Sequence, residues 1–94
     1  MAIEQREAGA EHSARVILEQ VRQLAAELRP ALSTAPPATL DSLLDRELGF
    51  DSLGRVELIS RIERALDASL PEEILATAET PRDLLRAVQQ AAGR

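Results

Sequence analysis

The chain has no cysteine, no tryptophan, no tyrosine and no lysine, and only one phenylalanine and one histidine among its 94 residues. Each absence removes a class of chemistry. Without cysteine there is no disulfide and no thiolate nucleophile, so any thiol chemistry has to come from an attached group. Without lysine, Schiff-base catalysis is excluded. His12 has no nucleophile-base motif around it and reads as a solvated residue, which leaves no serine-histidine pair. The acids lack calcium-loop spacing, and no cysteine-histidine ligand set exists, so no metal site is expected. A phosphate-cradling glycine loop and a dinucleotide fingerprint are both missing. No apolar run is long enough to cross a bilayer, and Met1 to Glu7 lack the core of a signal segment, so a cytoplasmic protein without membrane insertion is expected.

What remains suits a small helical domain. Apolar residues make up 45% of the chain, many of them alanine, so the core has to be built from leucine, isoleucine and valine. Such a core favours packed helices over sheets. The length allows one domain with one core. The formal net charge of −5 argues against a nucleic-acid partner and for basic partner surfaces. Residues 41 to 80 hold ten acids and four arginines, against one acid and three arginines in residues 81 to 94. A solvated helix face is also commonly charged, so charge alone decides nothing.

Residues 1–12 show little apolar periodicity and read as a flexible tail, or as an incomplete start to the first helix. A domain over 13–92 follows. From Ser13, a reasonable N-cap, the stripe Ile17, Val21, Leu24 and Leu28 predicts helix one, ending near Pro30. Residues 30 to 39 carry three prolines and read as an irregular connection that Leu32 and Leu40 tack to the core. Leu43 to Gly49 predicts a helical turn, Leu44 and Leu48 inward, broken by Gly49. Helix two is predicted from Ser52 to Leu66, burying Leu58, Ile62 and Leu66 with Leu53 and Val56 nearer the exposed edge. Pro71-Glu72-Glu73 opens a short helix that buries Ile74 or Leu75. Thr80-Pro81-Arg82-Asp83 combines an N-cap, a proline at the first helical position and an acid two residues on, opening helix four with Leu84 or Leu85, Ala87 and Val88 inward. The expected fold is an all-α four-helix bundle with three longer helices, one short helix and a long loop after the first.

Gly49-Phe50-Asp51-Ser52-Leu53-Gly54-Arg55-Val56-Glu57-Leu58 places a serine where a helix-periodic pattern begins. Asp51 and Ser52 both cap helices well, and such a helix start also suits a covalently attached phosphodiester. Leu48-Gly49-Phe50-Asp51-Ser52-Leu53 followed by Val56-Glu57-Leu58 resembles the attachment motif of acyl carrier proteins, with the resemblance covering residues 14 to 92. It implies that Ser52 receives 4'-phosphopantetheine from coenzyme A and that the terminal thiol holds an acyl group. That is the work of a non-catalytic carrier with no catalytic residues. Asp-Ser-Leu occurs twice, at 41–43 and 51–53. Ser52 is preferred over Ser42, which follows the proline-rich connection and leads into a segment closed by Gly49.

The resemblance also implies partners: a phosphopantetheinyl transferase, whose metal and coenzyme A phosphate Asp51 would help to place, and acyl-loading and acyl-processing enzymes. Leu53, Val56, Glu57, Ser60 and Glu63 lie on the arc of helix two that begins at Ser52 and form the expected docking face for basic enzyme patches. Gly54 would leave room beside the serine. Ala65, Ala68 and Ala76 between helices two and three would let an apolar acyl tail wedge in. Gly54 and Arg64 stand where carriers of fatty-acid synthesis are often acidic, so fatty-acid biosynthesis and a specialised pathway, such as polyketide or ligase-loaded acyl assembly, both stay open. A monomer is expected. The competing readings are a peptidyl or aryl carrier, and a helical protein-interaction module without a prosthetic group.

Overall fold

The computed structural model describes residues 2–28 and 37–92, with side chains described for 9–28 and 37–91. Four helices follow in order, α1 (Ala2–Leu28), α2 (Ser52–Leu66), α3 (Glu73–Thr77) and α4 (Pro81–Ala92), and there is no strand among the described residues. This is the all-α bundle of three longer helices and one short helix that the periodicity predicts.

Helix α1 runs far beyond its apolar stripe toward the N-terminus. Ser13 is an interior, half-buried position rather than an N-cap. Residues 2–12 are rich in alanine, glutamate, glutamine and arginine, whose propensity extends a helix without an apolar face, so the incomplete helix start is the alternative that matches. Ile17, Val21 and Leu24 are buried as expected, whereas Leu28 is 50% exposed. Leu32 and the predicted connection from residue 30 to 36 lie outside the described residues.

From Ala38 onward the connection is held to the helices it spans. Arg22 of α1 donates two guanidinium hydrogen bonds to the Ala38 carbonyl, at 3.1 and 2.8 Å. The Arg82 amide of α4 donates to the Leu40 carbonyl at 2.9 Å, and the Leu44 amide to the Glu79 carbonyl at 2.9 Å. The Arg82 guanidinium grips the Asp41 carboxylate at 2.9 and 3.1 Å, which holds that carboxyl below its ordinary range. A single turn then closes with the Gly49 amide donating to the Asp45 carbonyl at 3.0 Å. Gly49 ends it at φ 73°, a left-handed conformation that glycine adopts without strain. The reversal sends the Phe50 ring into the core beside Leu44, a burial that the periodicity does not reveal.

The core is formed by Ile17 and Val21 of α1, Leu58 and Ile62 of α2 and Leu84 of α4, with Leu44 and Phe50 supplied by the connection. Helix α1 packs on α2 and α4, and α3 packs on α2. Leu66, expected to be buried, is only partly so, while Ile59 two turns earlier is buried. The short α3 starts two residues after Pro71 and contributes no fully buried residue; Ile74 and Leu75 are both half-buried against the core. A five-residue helix offers too short a stripe to bury either side chain completely.

The start of α4 is the predicted cap. The Thr80 hydroxyl accepts from the Asp83 amide at 3.4 Å, and the Asp83 carboxylate accepts from the Glu79 and Thr80 amides at 2.9 and 3.2 Å. Leu84, Ala87 and Val88 follow as its buried stripe. The Asp83 carboxyl is held below its ordinary range chiefly by the Glu79 amide; burial opposes this, and the Thr80 amide, the Thr80 hydroxyl and the Arg86 charge add smaller lowering effects. Because its pKa is lower folded than unfolded, its stabilisation is complete above the unfolded value of about 3.9 and is lost as pH falls through the folded value. Asp83→Ala is expected to cost about 1 kcal/mol at neutral pH. Urea melts should show its gap from the wild type narrowing as the pH falls below the unfolded carboxyl value of about 3.9.

Candidate attachment site and docking face

Two residues at the start of α2 divide the work that either could do alone. Asp51 has extended backbone (φ −83°, ψ −169°) and is the N-cap, its Oδ1 accepting the Gly54 amide at 2.9 Å. Its carbonyl accepts the Arg55 amide at 2.9 Å and begins the helical ladder. Ser52 therefore occupies the first helical position with its side chain exposed, and among the described residues no hydrogen bond engages its hydroxyl. The first-turn amides and the positive end of the α2 dipole lie beside it.

Ser42, in the other Asp-Ser-Leu, is in the opposite state. It is only 9% exposed, and its Oγ accepts the Thr39 amide at 2.9 Å and lies 3.4 Å from the Thr39 hydroxyl. Its hydroxyl is already used to tie a turn.

Gly54 does not open space toward solvent. It is buried, and a Cβ built on it would meet Asp51 Oδ1 and Phe50 Cβ at 3.4 Å and Leu28 Cδ1 at 3.5 Å. The residue faces inward, where the end of α1 crosses α2, because it lies on the Leu58 side of the helix rather than on the Ser52 side. These are ordinary contact distances, so Gly54→Ala is expected to fit and to stabilise the domain by about 0.5–1 kcal/mol, read as a higher urea midpoint.

The outer arc of α2 is less acidic in effect than its sequence suggests. Leu53 is 79% and Val56 46% exposed. Glu57 is bound to Arg61 at 2.7 Å, and the same guanidinium holds Glu27 of α1 through two 2.8 Å bonds. The Glu27 carboxyl is held below its ordinary range by that contact. The Glu63 carboxylate accepts the Leu70 amide at 2.8 Å, which ties down the chain after α2. Ser60 is half-buried and lends its carbonyl to Arg64 Nε at 3.4 Å. Of the five expected docking residues, Leu53 and Val56 present exposed apolar side chains, while Glu57 and Glu63 are engaged within the molecule.

With a capped helix start and an unengaged, exposed serine at its first position, the chain matches one family along most of its length. Residues 19–88 match the phosphopantetheine attachment site family. The chain belongs to that family. The domain is thus one that carries phosphopantetheine, and family members of the acyl carrier kind are carriers rather than catalysts. Two relatives are the anthracycline acyl carrier protein DpsG of Streptomyces peucetius and the anthracycline acyl carrier protein DauA of Streptomyces sp. (strain C5). Each is 42% identical over 48 residues, which is 51% of this chain and 57% of the relative. The match thus spans little more than half the length of these relatives. No solved structure matches the chain.

A narrow crevice lies between α2 and α3, but it is not where the alanines predict it. Ala65 and Ala76 are exposed and Ala68 half-buried, whereas the crevice is walled by Leu44, Leu58, Ile59, Ile74, Ala78 and Leu84, with Arg55 at its side. Ala65 of α2 and Ala76 of α3 stand on the solvent side of their helices, and Ala68 lies in the chain just past the end of α2. No helix among the described residues is long and apolar enough to cross a membrane. No cluster of acids and histidine suited to a metal ion occurs among them either.

Proposed function

We propose that this protein is an acyl carrier: Ser52 bears 4'-phosphopantetheine, and the domain moves a thioester-bound acyl group among partner enzymes of a specialised assembly pathway, polyketide assembly first among them. What carries the proposal is Ser52 at the first position of α2, exposed and unbonded because Asp51 has taken over the cap. An attached phosphodiester there lies against first-turn amides and the positive dipole end, while Asp51 holds the helix start in place. The prosthetic group supplies the thiol that the chain lacks; the chain's own residues present it and recognise the partners.

The carrier domain spans 13–92 in this reading, with 1–12 as an extension of it, acting as a monomer in the cytoplasm. Its partners are a phosphopantetheinyl transferase and acyl-loading and acyl-processing enzymes that meet Leu53, Val56, Glu57, Ser60 and Glu63. Leu53 and Val56 supply the contact area, and the acids, already engaged by Arg61 and Leu70, act as a weaker electrostatic guide toward basic patches. The relatives' names as anthracycline acyl carrier proteins, and Arg64 on the outer arc of α2, support the specialised pathway.

The test is intact mass before and after incubation with coenzyme A, magnesium and a broad-specificity phosphopantetheinyl transferase. One addition of the phosphopantetheine mass is expected. A folded protein that takes up none, with that transferase and with one from a polyketide-producing Streptomyces, would leave a helical interaction module as the better reading.

A further inference from the structure

We infer that Arg61 decides which enzymes this carrier docks with: by holding Glu57 and Glu27 it weakens binding to enzymes built around a basic patch and favours those whose carrier-binding surface is apolar. This rests on the carrier reading. Helix α2 carries Arg55, Arg61 and Arg64 against Glu57 and Glu63, so the helix that presents Ser52 has one positive charge in excess, although the whole chain stands at −5. Arg61 Nε donates to Glu57 Oε2 at 2.7 Å, and its two terminal nitrogens donate to the two oxygens of Glu27, both at 2.8 Å. The Arg61 side chain is only 22% exposed, whereas those of Glu57 and Glu27 are 47% and 55% exposed. The cation is thus more sheltered than the two acids it joins, and it bridges α1 to α2.

Isolated surface ion pairs contribute little, but a forked guanidinium that satisfies both oxygens of one carboxylate and one oxygen of a second makes a network with fixed geometry. With one cation shared by two carboxylates, the trio presents a single negative charge to an approaching enzyme instead of two. A lysine or arginine of a basic patch has to share Glu57 with Arg61 or displace it. Glu63, the other acid of the face, already accepts the Leu70 amide at 2.8 Å. Arg64 stands exposed on the same arc, its Nε on the Ser60 carbonyl at 3.4 Å, and repels a basic patch directly. What the face offers freely is apolar, with Leu53 79% and Val56 46% exposed. An enzyme with an apolar surface covers those two side chains without disturbing the ion network.

The test measures KM and kcat for modification of the protein by two phosphopantetheinyl transferases, one with a carrier-binding surface rich in lysine and arginine and one with an apolar surface. Arg61→Met keeps an apolar stem between the helices and removes the clamp. With the basic transferase its KM is expected to fall at least about threefold at ~25 mM NaCl with kcat unchanged, and the gain to fade by ~300 mM as salt screens the freed acids. With the apolar transferase its KM is expected to match the wild type. Arg61→Met combined with Glu57→Gln is expected to lose the gain, and Arg86→Ala, which removes a positive charge from α4 instead, is expected to produce none. A folded Arg61→Met protein with the wild-type KM on the basic transferase overturns the inference. So does a gain that Arg86→Ala or the apolar transferase reproduces, or one that survives in the double variant. Should Arg61→Met fail to fold, Glu27→Gln decides: it leaves Arg61 to Glu57 alone, so KM on the basic transferase is expected to rise about twofold, and an unchanged or lower KM overturns the inference. Absence of any mass addition to the wild type is a separate failure that removes the carrier reading and this inference together.

Discussion

Replacing Ser52 by alanine is expected to leave a folded protein that accepts no phosphopantetheine, while replacing Ser42 by alanine is expected to leave a less stable protein that accepts it fully. The two serines sit in the same tripeptide, so local sequence predicts similar behaviour; their surroundings predict the reverse. Ser52 is exposed and its hydroxyl makes no hydrogen bond among the described residues, because Asp51 Oδ1 already satisfies the Gly54 amide. Its removal should change stability by no more than about 0.5 kcal/mol. Ser42 is buried and accepts the Thr39 amide at 2.9 Å, so its loss strands a backbone donor and should cost about 1 kcal/mol. Intact mass after modification, paired with urea denaturation of each variant, reads both arms. An addition that survives in Ser52→Ala and disappears in Ser42→Ala would reverse the assignment.

The largest effect on stability is expected at Phe50. The ring is 1% exposed, belongs to the same buried cluster as Leu44, Leu58 and Ile62, and is the only aromatic side chain in the molecule. Truncating it to alanine should cost about 3–5 kcal/mol through lost apolar burial and the cavity left behind. A domain of this size has only about 5–15 kcal/mol in total. The consequences extend to the attachment site, because Phe50 is the residue before the cap and its amide donates to the Leu44 carbonyl at 2.8 Å. With the ring gone, the turn ending at Gly49 loses the anchor that sets Asp51 under α2. Phe50→Ala should therefore melt at much lower urea, and its modification rate should fall even where it remains folded. Phe50→Leu, which refills most of the volume, should recover most of both. A Phe50→Ala protein within 1 kcal/mol of the wild type would show that the core does not depend on this ring.

Much of this was legible in one dimension. The apolar spacing of Leu58 and Ile62 gave the buried side of α2, and Thr80-Pro81-Arg82-Asp83 marked the start of α4, where the hydrogen bonds form as the residue types require. Both are local signals, readable within one or two turns of helix. Phe50 was not legible as core, since it stands alone between a glycine and an aspartate and belongs to no periodic stripe. Gly54 was misread for a related reason: a missing side chain says nothing about direction, and only the approach of Leu28 and Phe50 shows that it faces inward. The docking acids were identified by position, but their availability was not. Arg61 reaches Glu27 across 34 residues of chain, and that pairing has no local signature.

By itself, then, the sequence determined the class of fold, the extent of α2, the cap residues and the serine motif, because helix propensity, periodicity and capping act between residues a few positions apart. Tertiary structure decided the rest. It assigned the cap to Asp51 rather than Ser52 and sequestered Ser42. It committed Glu57 and Glu63 to contacts within the molecule, and it set Arg55 between an apolar crevice and the Leu75 carbonyl. Those outcomes turn on which groups are desolvated and which donors find acceptors, and burial and pairing exist only once distant segments have packed together.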